Sequence, residues 1–406
     1  MSVLEEIASY KRDDYQRDNF DSFLKKVGFS YDIPSIHVAG TNGKGSVCNY
    51  INNIYIANKK KVGLFISPAQ NSLLDMIKVN NKDISLEEVE KIFKENKKLF
   101  DKFDLSSFEI TTFIALKHFL IEKVDIAIIE CGMGGEVDAT NVFTPKLSII
   151  TNITSEHTNY LGVSISEIAL HKAGIIKDKI PVLIGNIEGD ALEVIVSKIK
   201  DTESKIYKVD HYHNERLTND GYEFNYRPFG DLKIRSLSLS SVVDASIALE
   251  AINILSETYP VSSEDVKAGL YLNKLTSRFE IIEGNPTIVI DGAHNPDAIT
   301  KLRQDVENVF PGKNIHVVFA CFKDKNITAM LPEIGLLGDL NLTTFNHVRA
   351  REESDYFLYL EDYKFNNDHI SLIKELKEKY PDDIILVTGS LAFANLVYQE
   401  IKDGKI

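Results

Sequence analysis

Residues 40–46, GTNGKGS, put glycines, a lysine and a hydroxyl residue on one short loop, and these are the residue types that grip a phosphate group. Glycines let backbone N–H groups converge on phosphate oxygens, Lys44 adds a formal charge, and a helix starting at the loop adds the positive end of its dipole. The spacing departs from the usual G-x-x-x-x-G-K-[ST] pattern, because Val38 stands five residues before Gly43 and Gly45 separates Lys44 from Ser46. ATP bound on such a loop brings a divalent cation, and magnesium takes oxygen ligands while keeping several waters. Glu130 fits that need, being an acid at the C-terminal end of the apolar run DIAIIE, where ligands of open α/β sheets collect. The plain alternatives are a ligand-free glycine turn and a structural acid; the pairing of the two features on one chain favours chemistry.

These residues need a scaffold that presents strand ends, and the chain supplies one. The runs SIHVAG (35–40), KVGLFISP (61–68), VDIAIIECG (124–132) and KLSIITNI (146–153) are apolar on both faces and alternate with helical patterns. That is the pattern of a mostly parallel sheet covered on both sides, so the fold class is α/β. Ser85 and Glu88 are spaced as a capping box, followed by apolar residues near helical period from Leu86 to Phe103. Beyond residue 201 the alternation around Asn219-Asp220-Gly221 predicts antiparallel hairpins, then a helix over 245–255. The α/β rhythm resumes at PTIVIDGAHN (286–295), IHVVFACF (315–322) and DIILVTGS (383–390). We expect two domains, 1–280 binding ATP and a smaller Rossmann-like 281–406, with the border in LTSRFEI (275–281).

Composition limits the partners. A formal net charge of −14 argues against a general nucleic-acid binder, so an anionic ligand must meet a local positive site. The cysteines, Cys48, Cys131 and Cys321, are scattered and suit a reducing compartment rather than a disulfide framework or zinc site. Glu5 and Glu6 sit where a signal peptide would be basic, and no apolar run approaches a membrane span. The expectation is a cytoplasmic monomer acting on small molecules, with no nucleic acid and no membrane. His211 and His213 lack a third ligand, and KELKEKY (374–380) reads as a solvated helix face.

With these pieces together, the chain resembles the folylpolyglutamate synthase and dihydrofolate synthase family, a branch of the Mur ligase superfamily. The loop at 40–46 has the form expected there, and further blocks follow in order: GLFISP, FEITT, IIECGMGGEVDATN, EHTNYLG, HKAGIIK, RFE, DGAHNPDA, FKDKN, HVRA and VTGSL. The resemblance implies an ATP-dependent amide ligase with an N-terminal P-loop ATPase domain and a C-terminal α/β domain. Such an enzyme phosphorylates a pteroate or folate carboxylate with ATP, and the amine of L-glutamate attacks the acyl phosphate. It implies phosphate contacts at Gly43, Lys44, Gly45 and Ser46, with magnesium ligands at Ser46, Ser67, Glu130 and His157. It also implies nucleotide contacts at Asp244, Arg278 and Asp291, and His294 near the incoming glutamate. Lys172 falls where the family carries a carbamylated lysine, and Lys44, Lys172 and His294 are the catalytic candidates. Because the loop and the DGAHN turn fall in different domains, closure that excludes water and protects the acyl phosphate is expected.

Most departures from the family pattern fall on the substrate side. Ala69, Gln70, Asp75, Met76 and Ile77 replace the usual residues after Ser67-Pro68, and Met76 stands where an arginine is common. A thioether cannot hold a carboxylate as a guanidinium does, and the acceptor pocket is expected near it. Glu136 replaces another arginine, Asp244 an asparagine and Glu156 an aspartate. Two rivals therefore stay open: a related Mur-type ligase with a different carboxylate acceptor, and a non-catalytic nucleotide-binding paralogue.

Overall fold

Strand β1, Ser35–Ala39, is buried along its whole length because its side chains are covered on both faces of the sheet it centres. The computed structural model describes residues 2–12, 16–273 and 276–406. In that sheet β1 is flanked by β2 (Val62–Phe65), β3 (Ile77–Val79), β4 (Lys82–Asp83), β5 (Ile126–Glu130), β6 (Leu147–Ile150), β7 (Val182–Ile184) and β8 (Ile206–Lys208). Their order is β4-β3-β2-β5-β1-β6-β7-β8. From β2 across to β8 every neighbouring pair is parallel, whereas at the edge β3 pairs antiparallel with both β2 and β4. Register sets Val38 beside Glu130 and Ala39 beside Ile150, so β1, β5 and β6 end together. Loops leaving those three ends must share one place.

The four expected apolar strands are β1, β2, β5 and β6. Short β7 and the edge pair β3 and β4 carried too few residues to declare a period. The region after residue 201 divides: β8 joins the parallel sheet, whereas β9 (His213–Thr218), β10 (Gly221–Tyr226) and β11 (Gly230–Ile234) form a separate three-stranded sheet. Asn219 and Asp220 make the turn between β9 and β10. The Leu86–Lys102 helix starts where expected, with Ser85 Oγ accepting the Glu88 amide at 3.2 Å. Leu86 is exposed, so the apolar face begins at Val89.

The chain divides into two compact units, the second comprising residues 217–222, 235–240 and Lys274–Ile406. Leu275, at the head of the anticipated border stretch, lies outside the described residues. In the second unit β12 (Glu280–Ile282), β13 (Thr287–Ile290), β14 (Ile315–Phe319), β15 (Asp339–Thr343), β16 (Lys364–Asn366) and β17 (Ile384–Thr388) are ordered β12-β13-β17-β14-β15-β16. Every pair is parallel except β12 with β13. Separate apolar clusters cover its two faces, one around Val317 and Leu386, the other around Val318 and Val387. Alternate residues of the same strands thus feed opposite layers.

Candidate active site

The loop after β1 turns into the Lys44–Ala57 helix through Gly43, which has φ +80°. An L side chain is strained there, and a Cβ at Gly43 would also lie 2.3 Å from Asp244 Oδ1. Asp244, on the Leu239–Ile254 helix, therefore packs directly on the turn. The rest of the loop is braced by the segment leaving β6. Asn152 O accepts the Thr41 amide at 3.0 Å, Asn152 Oδ1 accepts the Asn42 amide at 2.8 Å, and Thr151 Oγ1 donates to Asn42 O at 2.6 Å. Lys44 Nζ donates to Gly40 O at 2.9 Å and Thr41 O at 3.1 Å, which keeps the ammonium over the loop.

Glu130 reaches the same place from the end of β5. It is 3% exposed, and its Oε2 accepts the Ser67 amide at 3.1 Å. A Cβ at Gly45 would lie 3.4 Å from that Oε2, so the bare glycine lets the helix start approach the carboxylate. Ser46, the next residue, is buried beside it on the helix. Among the described residues no group of three or more His, Cys, Asp and Glu side chains could hold a metal. The magnesium candidates are of another kind: the carboxylate of Glu130, the hydroxyls of Ser46 and Ser67, and the imidazole of His157. Oxygen donors with room for water suit magnesium, and the imidazole is the softer member of the set.

Lys172 enters on the Ile165–Ala173 helix and is 1% exposed. Its Nζ donates to Gly40 O at 2.8 Å and to Glu156 Oε1 at 2.6 Å. Burial pushes the Glu156 carboxyl up, but the ammoniums of Lys172 and Lys44 outweigh it and hold the group down at about 2. Burial works against the charge on Lys172 and lowers its pKa, with Glu156 opposing that effect. His157 follows Glu156 in a left-handed backbone conformation (φ +48°) that starts the Thr158–Leu161 helix. The two lysines thus converge on one carbonyl, that of Gly40.

Behind the site, Asp138 accepts the Met133 amide at 2.8 Å and the Thr140 amide at 2.9 Å, tying down the loop that follows Glu130. His37 Nε2 and the Thr140 hydroxyl are 2.8 Å apart, and complete burial holds the imidazole neutral, its pKa lowered to about 3.

In the second unit the candidates gather at the C-terminal end of β13. Asp291 Oδ2 accepts the Phe279 amide and Oδ1 the Ala293 amide, each at 2.8 Å. Burial raises its pKa, while the Arg278 guanidinium and the two amides act to lower it. His294 Nδ1 lies 2.8 Å from Gly292 O. A carbonyl can only accept, so Nδ1 carries a proton and donates to it. Asn295 then caps the Pro296–Val309 helix, its side chain accepting the Ala298 amide at 2.9 Å. This Asx cap closes the turn that carries His294.

Gly43, Lys44, Gly45, Ser46, Ser67, Glu130, Lys172 and Asp244 therefore lie around one loop of the first unit, His157 adjoins Glu156, which pairs with Lys172, and Arg278, Asp291 and His294 lie around one turn of the second. Sequence reasoning noted Glu156 only as a mild exchange in EHT and passed over Thr151 and Asn152, whose signal was slight: two polar residues ending an apolar run. Met76 is 7% exposed, in a cluster with Phe65, Ile77 and Phe113. Asp75 pins the preceding turn by accepting the Gln70 and Asn71 amides at 2.9 and 2.7 Å.

Residues 38–239 match the Mur ligase middle domain and residues 277–391 the Mur ligase, glutamate ligase domain. The folylpolyglutamate synthase of Lacticaseibacillus casei is 32% identical over 389 residues, covering 91% of this chain and 90% of that protein. The chain belongs to the folylpolyglutamate and dihydrofolate synthase family. Members of this family are ATP-dependent glutamate ligases, and so is this protein. A second family member, the dihydrofolate synthase/folylpolyglutamate synthase of Bacillus subtilis (strain 168), is 30% identical over 390 residues and 91% of each chain. Among solved structures of the family, an FPGS–AMPPCP complex superposes with a TM-score of 0.86 at 28% identity, covering 99% of this chain and 100% of that one. Among the described residues no helix is long and apolar enough to cross a membrane.

Proposed function

We propose that this ligase binds ATP on the loop at 40–46 and transfers its γ-phosphoryl group to a pteroate or folate carboxylate, after which the amine of L-glutamate displaces phosphate. The observation that carries this reading is the meeting of the Gly43–Ser46 turn, Lys44 and the buried Glu130 carboxylate at the joint ends of β1 and β5. A carboxylate is a poor electrophile because oxide cannot leave; phosphate can. Negative charge crowds together during that activation, so fixed cations and amides around the triphosphate carry most of the catalysis. Lys44 turns from the loop carbonyls to the phosphates, and backbone amides of Gly43, Gly45 and Ser46 receive phosphate oxygens at the helix start.

Magnesium, held by Ser46, Ser67, Glu130 and His157, would supply neutralising charge to the triphosphate. Lys172 holds the Gly40 carbonyl and so sets the entry into the loop. In the second unit Arg278, just before the 281–406 domain of our division, and Asp291 serve the nucleotide, and His294 the reacting carboxylate and amine. The AMPPCP complex of the FPGS relative supports ATP as the nucleotide. The test is ADP release with each substrate omitted in turn. Release that needs both a pteroate or folate and glutamate supports the reading, whereas release with glutamate and a different acid points to a related Mur-type acceptor. Met76 in the core, where a carboxylate-binding arginine is common, keeps that second reading alive.

A further inference from the structure

The Lys44–Ala57 helix, which leaves the phosphate loop, buries polar side chains that an apolar helix interface would not need. Asn52 and Asn53 are buried, and so is Tyr50, one turn before Asn53 on the same helix face. Asn53 Nδ2 donates to Asn273 Oδ1 at 2.9 Å, and Asn53 Oδ1 accepts from Asn81 Nδ2 at 2.7 Å. Asn52 Nδ2 donates to Asn81 Oδ1 at 2.7 Å. The Tyr50 hydroxyl is hydrogen-bonded to the side chains of Asn273 and Ser241. Burying such groups costs stability until they are paired, and a paired set then accepts only one mutual placement of the segments it joins.

The segments joined here are two of the points where the chain crosses between its units. Asn273 is the last residue of the first unit before the chain passes to the second, and Ser241 is the first after it returns from residues 235–240. Both are held from further along their helices as well. Asn273 caps the Ser263–Leu272 helix, its amide donating to Leu270 O. On that helix a Cβ at Gly269 would lie 2.4 Å from Ile54 Cα, so the two helices meet backbone to backbone, and at the outer end Asn58 Nδ2 donates to Asp265 Oδ2 at 3.1 Å. Ser241 lies one turn before Asp244 on the Leu239–Ile254 helix, and Asp244 packs on Gly43. The phosphate turn is thus connected through Asp244, Tyr50 and Asn53 to both crossings.

We propose that Tyr50 and Asn53 are positioning residues for the ligase reaction. Through Ser241 and Asn273 they make the two crossing segments respond to the nucleotide on the loop, so that the second unit, which carries His294, is set for transfer only when the loop is filled. The proposal rests on ATP occupying the 40–46 loop.

Hydrogen exchange of the full-length protein, with and without the ATP analogue AMPPCP, tests this together with steady-state kinetics. In the wild type AMPPCP should slow exchange of the amides at 241–246 and 267–273 several-fold. Tyr50→Phe, which removes only a hydroxyl, and Asn53→Ala should abolish that slowing and lower kcat about tenfold, while calorimetric AMPPCP affinity stays within about threefold of wild type. Asn58→Ala removes the outer bond between the same two helices without touching either crossing, and should keep both the slowing and kcat. A purely structural role would instead lower the melting temperature and leave kcat and the nucleotide-induced slowing intact in folded Tyr50→Phe; that result overturns the inference. So does exchange at these residues that ignores AMPPCP in a wild type that binds it. A wild type that does not bind AMPPCP strikes at the loop as the ATP site, and the inference falls with it.

Discussion

The ammonium of Lys172 lies 2.6 Å from the carboxylate of Glu156, and the two side chains are 1% and 8% exposed. Neither charge can be removed alone without stranding the other. Glu156→Gln should destabilise the first unit by about 3–5 kcal/mol, and the double replacement Lys172→Met/Glu156→Leu should recover much of that loss. Denaturant unfolding of the wild type and the two variants measures both quantities. Equal stability of Glu156→Gln and wild type would mean that the pair is not formed in solution.

The turn at Gly43 makes a second demand. Gly43→Ala faces an unfavourable φ of +80° and a contact of 2.3 Å with Asp244, so the turn must distort. We expect ATP affinity to fall by tenfold or more, since strain of about 1–3 kcal/mol falls on the nucleotide loop. Gly28 also has positive φ (+61°) but has open space around it, so Gly28→Ala should leave ATP affinity unchanged. Nucleotide titration of both variants checks the contrast.

Asp305 supplies a pH dependence in the second unit. It is 4% exposed, accepts the Leu239 amide at 2.9 Å, and burial raises its carboxyl to about 6, with the charge of Asp291 adding to the effect. A folded-state pKa above the unfolded one means that the folded protein binds more protons between the two values. Its contribution therefore favours the fold at low pH and is lost as pH rises through about 6. Asp305→Asn, which keeps an acceptor for Leu239, should stabilise the protein by about 2–3 kcal/mol at neutral pH and little at pH near 4. Melting curves across that range decide the sign.

Met76 occupies a position where the family often has arginine, yet it is packed in a hydrophobic cluster. Restoring the charge should fail: Met76→Arg buries an unpaired guanidinium and should cost about 3 kcal/mol or more, a fall in melting temperature of roughly 5–10 °C. Thermal unfolding measures it. An unchanged melting temperature would show that this side chain can reach solvent or an anion.

Much of this organisation is legible in the sequence because strands buried on both faces, such as β1, β5, β6 and β17, announce themselves as unbroken apolar runs. Strands of two or three residues such as β4, β7 and β16 carry no period, and β8 looked like part of a hairpin because its alternation gives no clue to its partner. The phosphate loop and Glu130 could be read locally, since glycine spacing and a strand-end acid are local signals. Lys172 and His157 could not, for a lysine within a helix or a lone histidine has no mark of its own and was found through the family's ordered blocks. The bracing of Asn42 by Thr151 and Asn152, and the pairing of Glu156 with Lys172, join residues 16 to 110 positions apart and become visible only when the strand ends are set side by side.

In the proposed reaction one nucleotide, gripped by Lys44 and flanked by Glu130, is spent on joining glutamate to a pteroate or folate. Coupled measurement of ADP release tests it most directly. Release is expected only when dihydropteroate or a folate and L-glutamate are both present, one ADP for each amide formed, with a loss of at least about a hundredfold in Lys44→Ala and in Glu130→Gln. ADP release that ignores both co-substrates, or persists at the wild-type rate in either folded variant, would contradict it.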